Sequence, residues 1–446
     1  MTPSRLPPTL ELYFTNRCNL DCAYCSSRPV KAGGTRTMSL EEIVRGAELA
    51  LDYSRRAGGG PLTVGLTGGE PLLEFPLLRR AVEKLRRRRG LVLHVCTNGT
   101  LLDRDKAAFL LDNGVELDVS LDGPAVLHDR NRRPGPGGPP SVFSAVMRNL
   151  EKLPASWLGR MRAVSTFDSR TVGGAAGALD FLRGLGFRSA GFGLDIYEIW
   201  PRRRLENLAA ALAVFRRGYV AAWLDALRAP RRPLPLFPFE DGLGADQASL
   251  VSNEFSLSVD GYFFPSDTVC RGAGRPGWTV GDLRTGLDSA LLARTRKKVS
   301  QIIGRYGFPN GIIPAADRYW HEVFRGADPG PSLANAREVS EVFERELGGL
   351  LWARRALAAM ATEPGFGDIA HPPRHAAPRG VPSFYSAGGG LSGSRKTLDY
   401  CIHSPARSGR LELEAGGTAG FRGKLALYAL LKAAQLGRSL KLSLRR

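Results

Sequence analysis

Three cysteines within eight residues, in the sequence CNLDCAYC, are the strongest chemical feature of this chain. They are Cys18, Cys22 and Cys25, and the other cysteines are scattered at Cys96, Cys270 and Cys401. A structural zinc site needs a fourth Cys or His at close spacing, and the following residues, SSRPVKAGGTRT, supply none. Three thiolates in one loop can each bind one iron of a [4Fe–4S] cluster. The fourth iron is then free to chelate a small molecule, so the spacing indicates an iron–sulfur centre with an open position.

Four further motifs follow along the chain, each at the end of a predicted strand. They are LTGGEPLL (66–73), HVCTNGTLL (94–102), DVSLDGPAVLHDRNR (118–132) and VSTFDSR (164–170). In this order, and with the cysteine spacing and the aromatic residue before the third cysteine, the chain resembles the radical S-adenosylmethionine (radical SAM) superfamily. The third motif is most similar to one subgroup, the anaerobic sulfatase-maturating enzymes and peptide maturases. The resemblance spans residues 8–290.

This resemblance implies two cofactors and names the residues that would bind them. One [4Fe–4S] cluster would be ligated by Cys18, Cys22 and Cys25, and S-adenosylmethionine would bind its open iron. The residues that the resemblance assigns to cofactor binding are Tyr24, Gly68, Gly69, Glu70, Asn98, Ser120, Arg132 and Thr166, with Asp168 as an alternative to Thr166.

The assigned roles follow the shape of S-adenosylmethionine. The Gly-Gly-Glu backbone and Glu70 would hold the methionine ammonium, while Ser120 and Arg132 would contact the carboxylate or the ribose. An arginine suits a carboxylate because it can donate two parallel hydrogen bonds. Without the resemblance, the alternative interpretation is structural. Gly68-Gly69 would then be a tight turn between a strand and a helix, and Ser120 and Arg132 would be ordinary solvated side chains.

The elements that must position these residues alternate between strand and helix for about 215 residues after the first apolar run. Six βα units in sequence predict an α/β fold, a partial (β/α)6 TIM-like barrel with a small C-terminal α+β extension. A capping box from Ser39 to Glu42 predicts the start of the first helix. The predicted domains are a radical SAM core barrel, a Pro- and Arg-rich linker, a degenerate SPASM-like extension with helices, and a basic, partly irregular tail, over residues 1–228, 229–244, 245–362 and 363–446.

The extension departs from the subgroup it resembles. The SPASM domain of those enzymes holds auxiliary clusters on seven cysteines, and the segment 259–287 is similar to its first half. Its Gly-x4-Cys-Asp pattern is here Gly261-x4-Ser266-Asp267, and only Cys270 and Cys401 lie further downstream. We therefore expect a SPASM-like remnant without auxiliary clusters. Asp267 occupies the position of a catalytic base in sulfatase maturases, and a turn-capping aspartate is the alternative interpretation.

Charge and hydropathy limit the classes of partner. The net charge is +19, and residues 351–446 hold 15 Lys and Arg against 5 Asp and Glu. Such a tail fits an acidic peptide, and a basic nucleic-acid-binding protein with a structural metal site is an alternative of another class. That alternative lacks a basic motif interleaved with aromatics or a zinc-finger spacing. No apolar run is long enough for a membrane span, and no export signal precedes the first charges, so a cytoplasmic protein without membrane contact is expected.

The sequence thus predicts radical SAM chemistry. The cluster would cleave S-adenosylmethionine reductively, and the resulting 5′-deoxyadenosyl radical would abstract a hydrogen atom from a substrate. The subgroup resemblance favours a peptide or protein substrate, acidic ones included, and an electron donor of the flavodoxin or ferredoxin type. A radical SAM enzyme acting on a small molecule remains the main alternative, because the auxiliary clusters are missing.

Overall fold

The computed structural model describes residues 8–25, 34–56, 61–136, 138–195, 198–228, 254–267, 269–270, 276–306, 322, 328–342, 345–346, 400–403, 410–415 and 439–444. The chain divides into two compact units. The first contains Met1–Pro201 and Gly244–Val339, and the second contains Arg202–Leu243 and Ser340–Arg446.

Six parallel strands in chain order form the body of the first unit. They are β1 (Thr9–Thr15), β2 (Leu62–Gly68), β3 (Leu91–Thr97), β4 (Glu116–Ser120), β5 (Arg162–Phe167) and β6 (Ser189–Leu194). Each strand pairs in parallel with the next one in sequence, and β6 lies at an edge of the sheet. The predicted α/β class with a partial barrel is confirmed, and the sheet is not closed.

Helices connect successive strands of this sheet, as parallel pairing requires. They are α1 (Leu40–Arg56), α2 (Phe75–Leu85), α3 (Arg104–Asp112), α4 (Ala125–Asn131), α5 (Val142–Leu150), the short α6 (Ala155–Leu158) and α7 (Ala175–Gly184), with a 3-10 turn at Pro71–Glu74. The predicted capping box at α1 is confirmed. The Glu42 N–H donates to Ser39 Oγ at 3.2 Å, and the Ser39 N–H donates to the Glu42 carboxylate at 2.7 Å.

Apolar side chains at alternating strand positions form the core beneath the helices. In β1 these positions are Leu10, Leu12 and Phe14, each fully buried. A Cβ added at Gly46 of α1 would contact the side chains of Leu12 and Leu257, so this face of the sheet packs against the helix. Because successive side chains of a strand point to opposite faces, the intervening positions face the concave side of the sheet.

The predicted extension continues the same sheet. β7 (Glu254–Leu257) pairs in parallel with β1, and β8 (Tyr262–Phe264), β9 (Gly281–Asp282) and β10 (Gly286–Leu287) follow by antiparallel pairing. The two apolar runs of EFSLSVDGYFFP (254–265) predict a hairpin, which the β7–β8 pairing confirms, whereas the pairing of β7 with β1 was not predicted. Helix α9 (Ser289–Tyr306) comes next, and residues 330–342 are helical.

The second unit contains helix α8 (Arg202–Arg228) and a three-stranded sheet. Its strands are β11 (Tyr400–His403), β12 (Arg410–Ala415) and β13 (Ser439–Leu444), with β11 antiparallel and β13 parallel to β12. These strands were not predicted. Two further predictions lie outside the described residues: a helix over the apolar-periodic segment KLALYALLKAAQL (424–436) and a loop over the Pro-, Gly- and Ser-rich segment 363–395. The domain boundaries at 228, 244 and 362 stay predictions. Among the described helices, none is long and apolar enough to cross a membrane.

Candidate cofactor site at the carboxyl ends of the strands

The cysteine loop follows β1 and is held along its length by a segment that follows α4. The Asp21 N–H donates to the Arg133 carbonyl at 2.9 Å, and the Ala23 N–H donates to the Asn131 carbonyl at 2.7 Å. In the other direction, the Gly135 N–H donates to the Asn19 carbonyl at 3.0 Å. These backbone bonds fix the loop from a segment more than 100 residues later in the chain.

Among the described residues the three thiols form no disulfide, and they are only partly exposed. Burial raises the pKa of the Cys22 thiol to about 11, although the nearby Arg132 charge opposes that shift. Within the described part of the chain, no three His, Cys, Asp or Glu side chains converge on one metal ion. A [4Fe–4S] cube does not require such convergence, because each thiolate binds a different iron. Three sulfur donors in one anchored loop fit that group.

The Gly-Gly turn after β2 lies directly against the backbone that leads into the cysteine loop. The Gly69 N–H donates to the Thr15 carbonyl at 2.8 Å, and the Glu70 N–H donates to the Arg17 carbonyl at 2.7 Å. A Cβ at Gly68 would lie 1.8 Å from the Thr15 oxygen, and one at Gly69 would lie 1.9 Å from the Arg17 oxygen. The two glycines thus allow a close approach of the protein's own backbone at Thr15 and Arg17. The sequence had suggested that they make room for a ligand. A contact of this turn with the methionine ammonium stays a prediction.

Glu70 is buried, and its carboxylate joins the ends of β2 and β3. It accepts hydrogen bonds from the Thr97 hydroxyl at 2.7 Å, from the Asn98 N–H at 2.7 Å and from the Leu72 N–H at 3.0 Å. Burial raises the pKa of Glu70 against these hydrogen bonds, which lower it. Because both carboxylate oxygens serve the protein, the structure assigns Glu70 a positioning role; a direct contact with an ammonium group stays a prediction.

The Asn98 side chain extends this connection to the cysteine loop. Its amide donates to Asn19 Oδ1 at 2.9 Å, and its Oδ1 accepts the Thr100 N–H at 3.0 Å. The Asn19 amide in turn donates to the Thr100 hydroxyl at 2.8 Å. The Thr-Asn-Gly-Thr loop after β3 is therefore bonded to the cysteine loop through Asn19, between the first two cysteines.

Arg132 lies at the predicted place, but its partner is a side chain of the protein. Its Nε and Nη2 donate to the two oxygens of Asp122 at 3.0 and 3.1 Å, and the pair is almost fully buried. The guanidinium carbon lies 5.4 Å from the centre of the Tyr24 ring. The Tyr24 hydroxyl also donates to Asp122, and burial raises the pKa of Tyr24 well above its ordinary value. Two predicted cofactor residues therefore meet at one carboxylate.

The remaining strand-end residues are also placed at this edge. Ser120 Oγ lies 3.6 Å from Cys96 Sγ on the neighbouring strand, and the Thr166 N–H donates to Asp122 at 2.9 Å. Asp168, the alternative to Thr166, caps the next turn by accepting the Thr171 N–H at 2.8 Å and pairs with Arg170 at 2.7 Å. These contacts give Asp168 a structural role in the turn, and the choice between Thr166 and Asp168 as a cofactor residue stays a prediction.

Asp267 lies beside β1 on the extension. Its carboxylate accepts a hydrogen bond from the Tyr13 hydroxyl, and its own N–H donates to the Glu254 carboxylate at 3.2 Å. The preceding Ser266, at the position where the subgroup has a cysteine, is buried and accepts the Val269 N–H at 3.3 Å. The serine thus caps a helical turn. A role for Asp267 as a base stays a prediction.

Sequence reasoning missed Asp122, which accepts hydrogen bonds from Tyr24, Arg132 and Thr166. The available signal was its position, because it follows Ser120 in the quoted Ser-Leu-Asp-Gly motif at the end of β4. It also missed the segment 131–135 as the backbone partner of the cysteine loop. Its backbone partners are recognisable only once the barrel brings the two segments together.

Known proteins are similar to this chain in the region that holds the site. The radical SAM superfamily profile matches residues 12–156. A probable GTP 3′,8-cyclase of Methanococcus aeolicus is 29% identical over 196 residues, which is 43% of this chain and 60% of the relative. A cysteine-type anaerobic sulfatase-maturating enzyme of Clostridium perfringens is 33% identical over 146 residues, or 30% of this chain and 37% of the relative. The chain thus spans little more than a third to three fifths of these curated relatives.

The solved structure of anSMEcpe with bound AdoMet has a similar fold. The match covers 78% of this chain and 98% of that chain, with a TM-score of 0.55 and 18% identity. The superfamily profile over residues 12–156 supports the resemblance that their motifs indicated, and the solved structure shares the fold. The superfamily uses a [4Fe–4S] cluster and S-adenosylmethionine, which are the two cofactors that the sequence predicts.

Proposed function

We propose that this protein is a radical SAM enzyme that acts on a peptide or protein. The observation that carries the proposal is the anchoring of the three-cysteine loop. Backbone hydrogen bonds join it to the Gly-Gly turn after β2 and to the segment that carries Arg132. The loop's sulfur donors and the strand-end side chains thereby lie at one edge of the sheet, where barrel enzymes place their active sites.

Different residues of the chain would hold the two cofactors. Cys18, Cys22 and Cys25 would ligate the cluster, which together with S-adenosylmethionine supplies a 5′-deoxyadenosyl radical when bound. Arg132 has Nη1 outside its pair with Asp122, so this amino group can donate to the cofactor's carboxylate. Glu70 holds the ends of β2 and β3 in register, and the polar edge formed by Ser120 and Thr166 would face the ribose.

Relatives of both substrate classes support radical SAM chemistry, and the extension favours the peptide class. The fold of anSMEcpe, also solved with bound AdoMet and the Cp18Cys peptide, is matched over nearly its whole length, beyond the barrel. The GTP 3′,8-cyclase relative supports a small-molecule substrate as the second candidate. The basic residues of 351–446 fit an acidic peptide, and a flavodoxin or ferredoxin would supply the electron.

Anaerobic reconstitution tests the proposed chemistry directly. We expect about four irons and matching sulfide per chain, because the cysteines beyond the loop are too few and too scattered for further clusters. Dithionite should then release 5′-deoxyadenosine and methionine from S-adenosylmethionine. Cys22→Ala is the test variant and Cys270→Ala is its matched control, which should keep both iron and cleavage. Eight or more irons per chain, or unchanged cleavage by Cys22→Ala, would contradict the proposal.

The substrate class is tested with the same enzyme. The enzyme is given either a peptide encoded beside this gene or GTP. The rate of 5′-deoxyadenosine release is then compared with the rate measured without either substrate. Acceleration and a mass change in a peptide support the maturase, whereas acceleration by GTP alone supports the small-molecule candidate.

A further inference from the structure

One buried carboxylate receives hydrogen bonds from three separate strand-end segments. Asp122 is only 2% exposed. Its Oδ2 accepts from the Tyr24 hydroxyl and from Arg132 Nε, and its Oδ1 accepts from Arg132 Nη2 and from the Thr166 N–H. Tyr24 belongs to the cysteine loop, Arg132 to the segment that anchors that loop, and Thr166 to β5. Asp122 thus touches three of the residues that the sequence assigns to cofactor binding.

The pair fixes how the guanidinium of Arg132 is presented. With Nε and Nη2 turned towards Asp122, the opposite Nη1 edge is directed away from the pair, and Tyr24 flanks the guanidinium with its centre 5.4 Å away. A planar guanidinium held at two nitrogens has little freedom to rotate. The Asp122 charge also compensates a buried cation that would otherwise be costly.

We propose that Asp122 is a positioning residue for S-adenosylmethionine, acting through Arg132. The inference rests on the proposed function and adds a residue to it. Asp122 sets the direction of the Arg132 donor that meets the cofactor's carboxylate, and it does not itself touch cluster or cofactor. An asparagine at position 122 could not hold the guanidinium in this way. It offers one accepting oxygen and one N–H₂ group, whereas four donors point at this side chain.

The decisive variant is Asp122→Asn in the full chain, reconstituted with the cluster. We expect wild-type iron and sulfide, because the cysteine loop keeps its backbone bonds to Asn131 and Arg133. Affinity for S-adenosylmethionine, measured by equilibrium binding, should fall about tenfold or more, the scale of one lost charge-assisted hydrogen bond. The electron paramagnetic resonance signal of the reduced cluster should keep its form without S-adenosylmethionine and show a weaker change on adding it.

Asp118→Asn is the matched control. Asp118 lies on β4, which ends two residues before Asp122, is also almost fully buried, and forms a two-pronged pair with Arg162 at 2.5 and 3.0 Å. Its loss removes a carboxylate–arginine pair away from the strand end, so cofactor affinity should stay within about twofold of wild type. Equal affinity of Asp122→Asn and wild type, or an equal loss in both variants, would overturn the role of Asp122.

A double-mutant cycle keeps the test valid if Asp122→Asn alone folds poorly. Asp122→Asn with Arg132→Gln leaves no uncompensated charge in the site. If Asp122 acts through Arg132, the double variant should bind the cofactor no more weakly than Arg132→Gln alone; a multiplied loss refutes the proposal. Failure of the wild-type protein to bind iron or cofactor would refute the proposed function. Where the wild-type protein binds both, a result against the proposal refutes the role of Asp122 alone.

Discussion

At the scale of single residues, buried carboxylates organise the site more than exposed charges do. Glu70 and Asp122 each satisfy donors from different loops. The three cysteines could be singled out from the sequence because they lie within eight residues. The partners of Asp122 could not, because they lie 10 and 44 residues further on and 98 residues earlier in the chain.

A second buried group, His128 of α4, predicts how stability depends on pH. Burial lowers the pKa of His128 from 6.5 to about 4, and its Nδ1 accepts the Asp122 N–H at 3.2 Å. Between pH 6.5 and about 4, His128 is therefore protonated in the unfolded chain and neutral in the folded chain. The free energy of unfolding consequently falls as the pH drops from about 6.5 to about 4. The loss should reach about 3 kcal/mol of unfolding free energy, and His128→Gln should abolish it.

Urea unfolding of the cluster-free protein across this pH range measures the effect. His94→Gln is the control of opposite sign. Burial disfavours the charged form of His94, but Asp118 at 3.0 Å outweighs it and raises the pKa. That contribution is full below the unfolded pKa and is lost as pH rises through the folded value. An identical pH profile for wild type and His128→Gln would contradict the assignment.

At the scale of elements, the sequence predicted the strands and helices of the barrel well because their apolar periodicity and caps are local. The apolar run LVLHVCT (91–97) predicts a strand and coincides with β3, and the capping box at Ser39 starts α1. The loops could not be predicted in the same way, because their shape depends on contacts between elements. The two glycines after β2 illustrate this: their neighbour is the backbone at the end of β1.

Gly69→Ala tests that backbone contact. The added methyl group would lie 1.9 Å from the Arg17 carbonyl oxygen, so the turn and the start of the cysteine loop must separate. We expect a loss of about 2 kcal/mol or more of unfolding free energy and reduced iron incorporation. Gly177→Ala is the matched control, because its Cβ meets nothing within 4 Å and a helix interior favours alanine by up to about 1 kcal/mol. Normal iron content in Gly69→Ala would show that the loop tolerates the separation.

At the scale of the whole molecule, the extension and the barrel share one sheet. The sequence predicted a separate small extension because parallel pairing between β7 and β1, some 245 residues apart, leaves no local pattern. Phe255 of β7 packs edge-on against Tyr53 of α1, with ring centres 5.8 Å apart. The core of the first unit is thus continuous across the predicted domain boundary.

Phe255→Ala should therefore destabilise the barrel as well as the extension. Phe255 is only 1% exposed, so its truncation should cost about 3–5 kcal/mol. Hydrogen exchange should show faster opening of β1 together with β7. Tyr262→Ala, at a side chain on β8 that is 48% exposed, should change stability by less than about 0.5 kcal/mol. Faster exchange in β7 with no change in β1 would show that the extension opens independently.

The backbone bonds between the cysteine loop and residues 131–135 also set an order of biosynthesis. The three cysteines precede residues 131–135 by more than 100 residues, so their loop lacks these backbone partners until the chain has been made past Gly135. Domains form as units during synthesis, at about 5–20 residues per second. The nascent thiols must then wait several seconds without this anchor, so a cluster delivered by the cell's assembly machinery would be received only after the first four strands have been made.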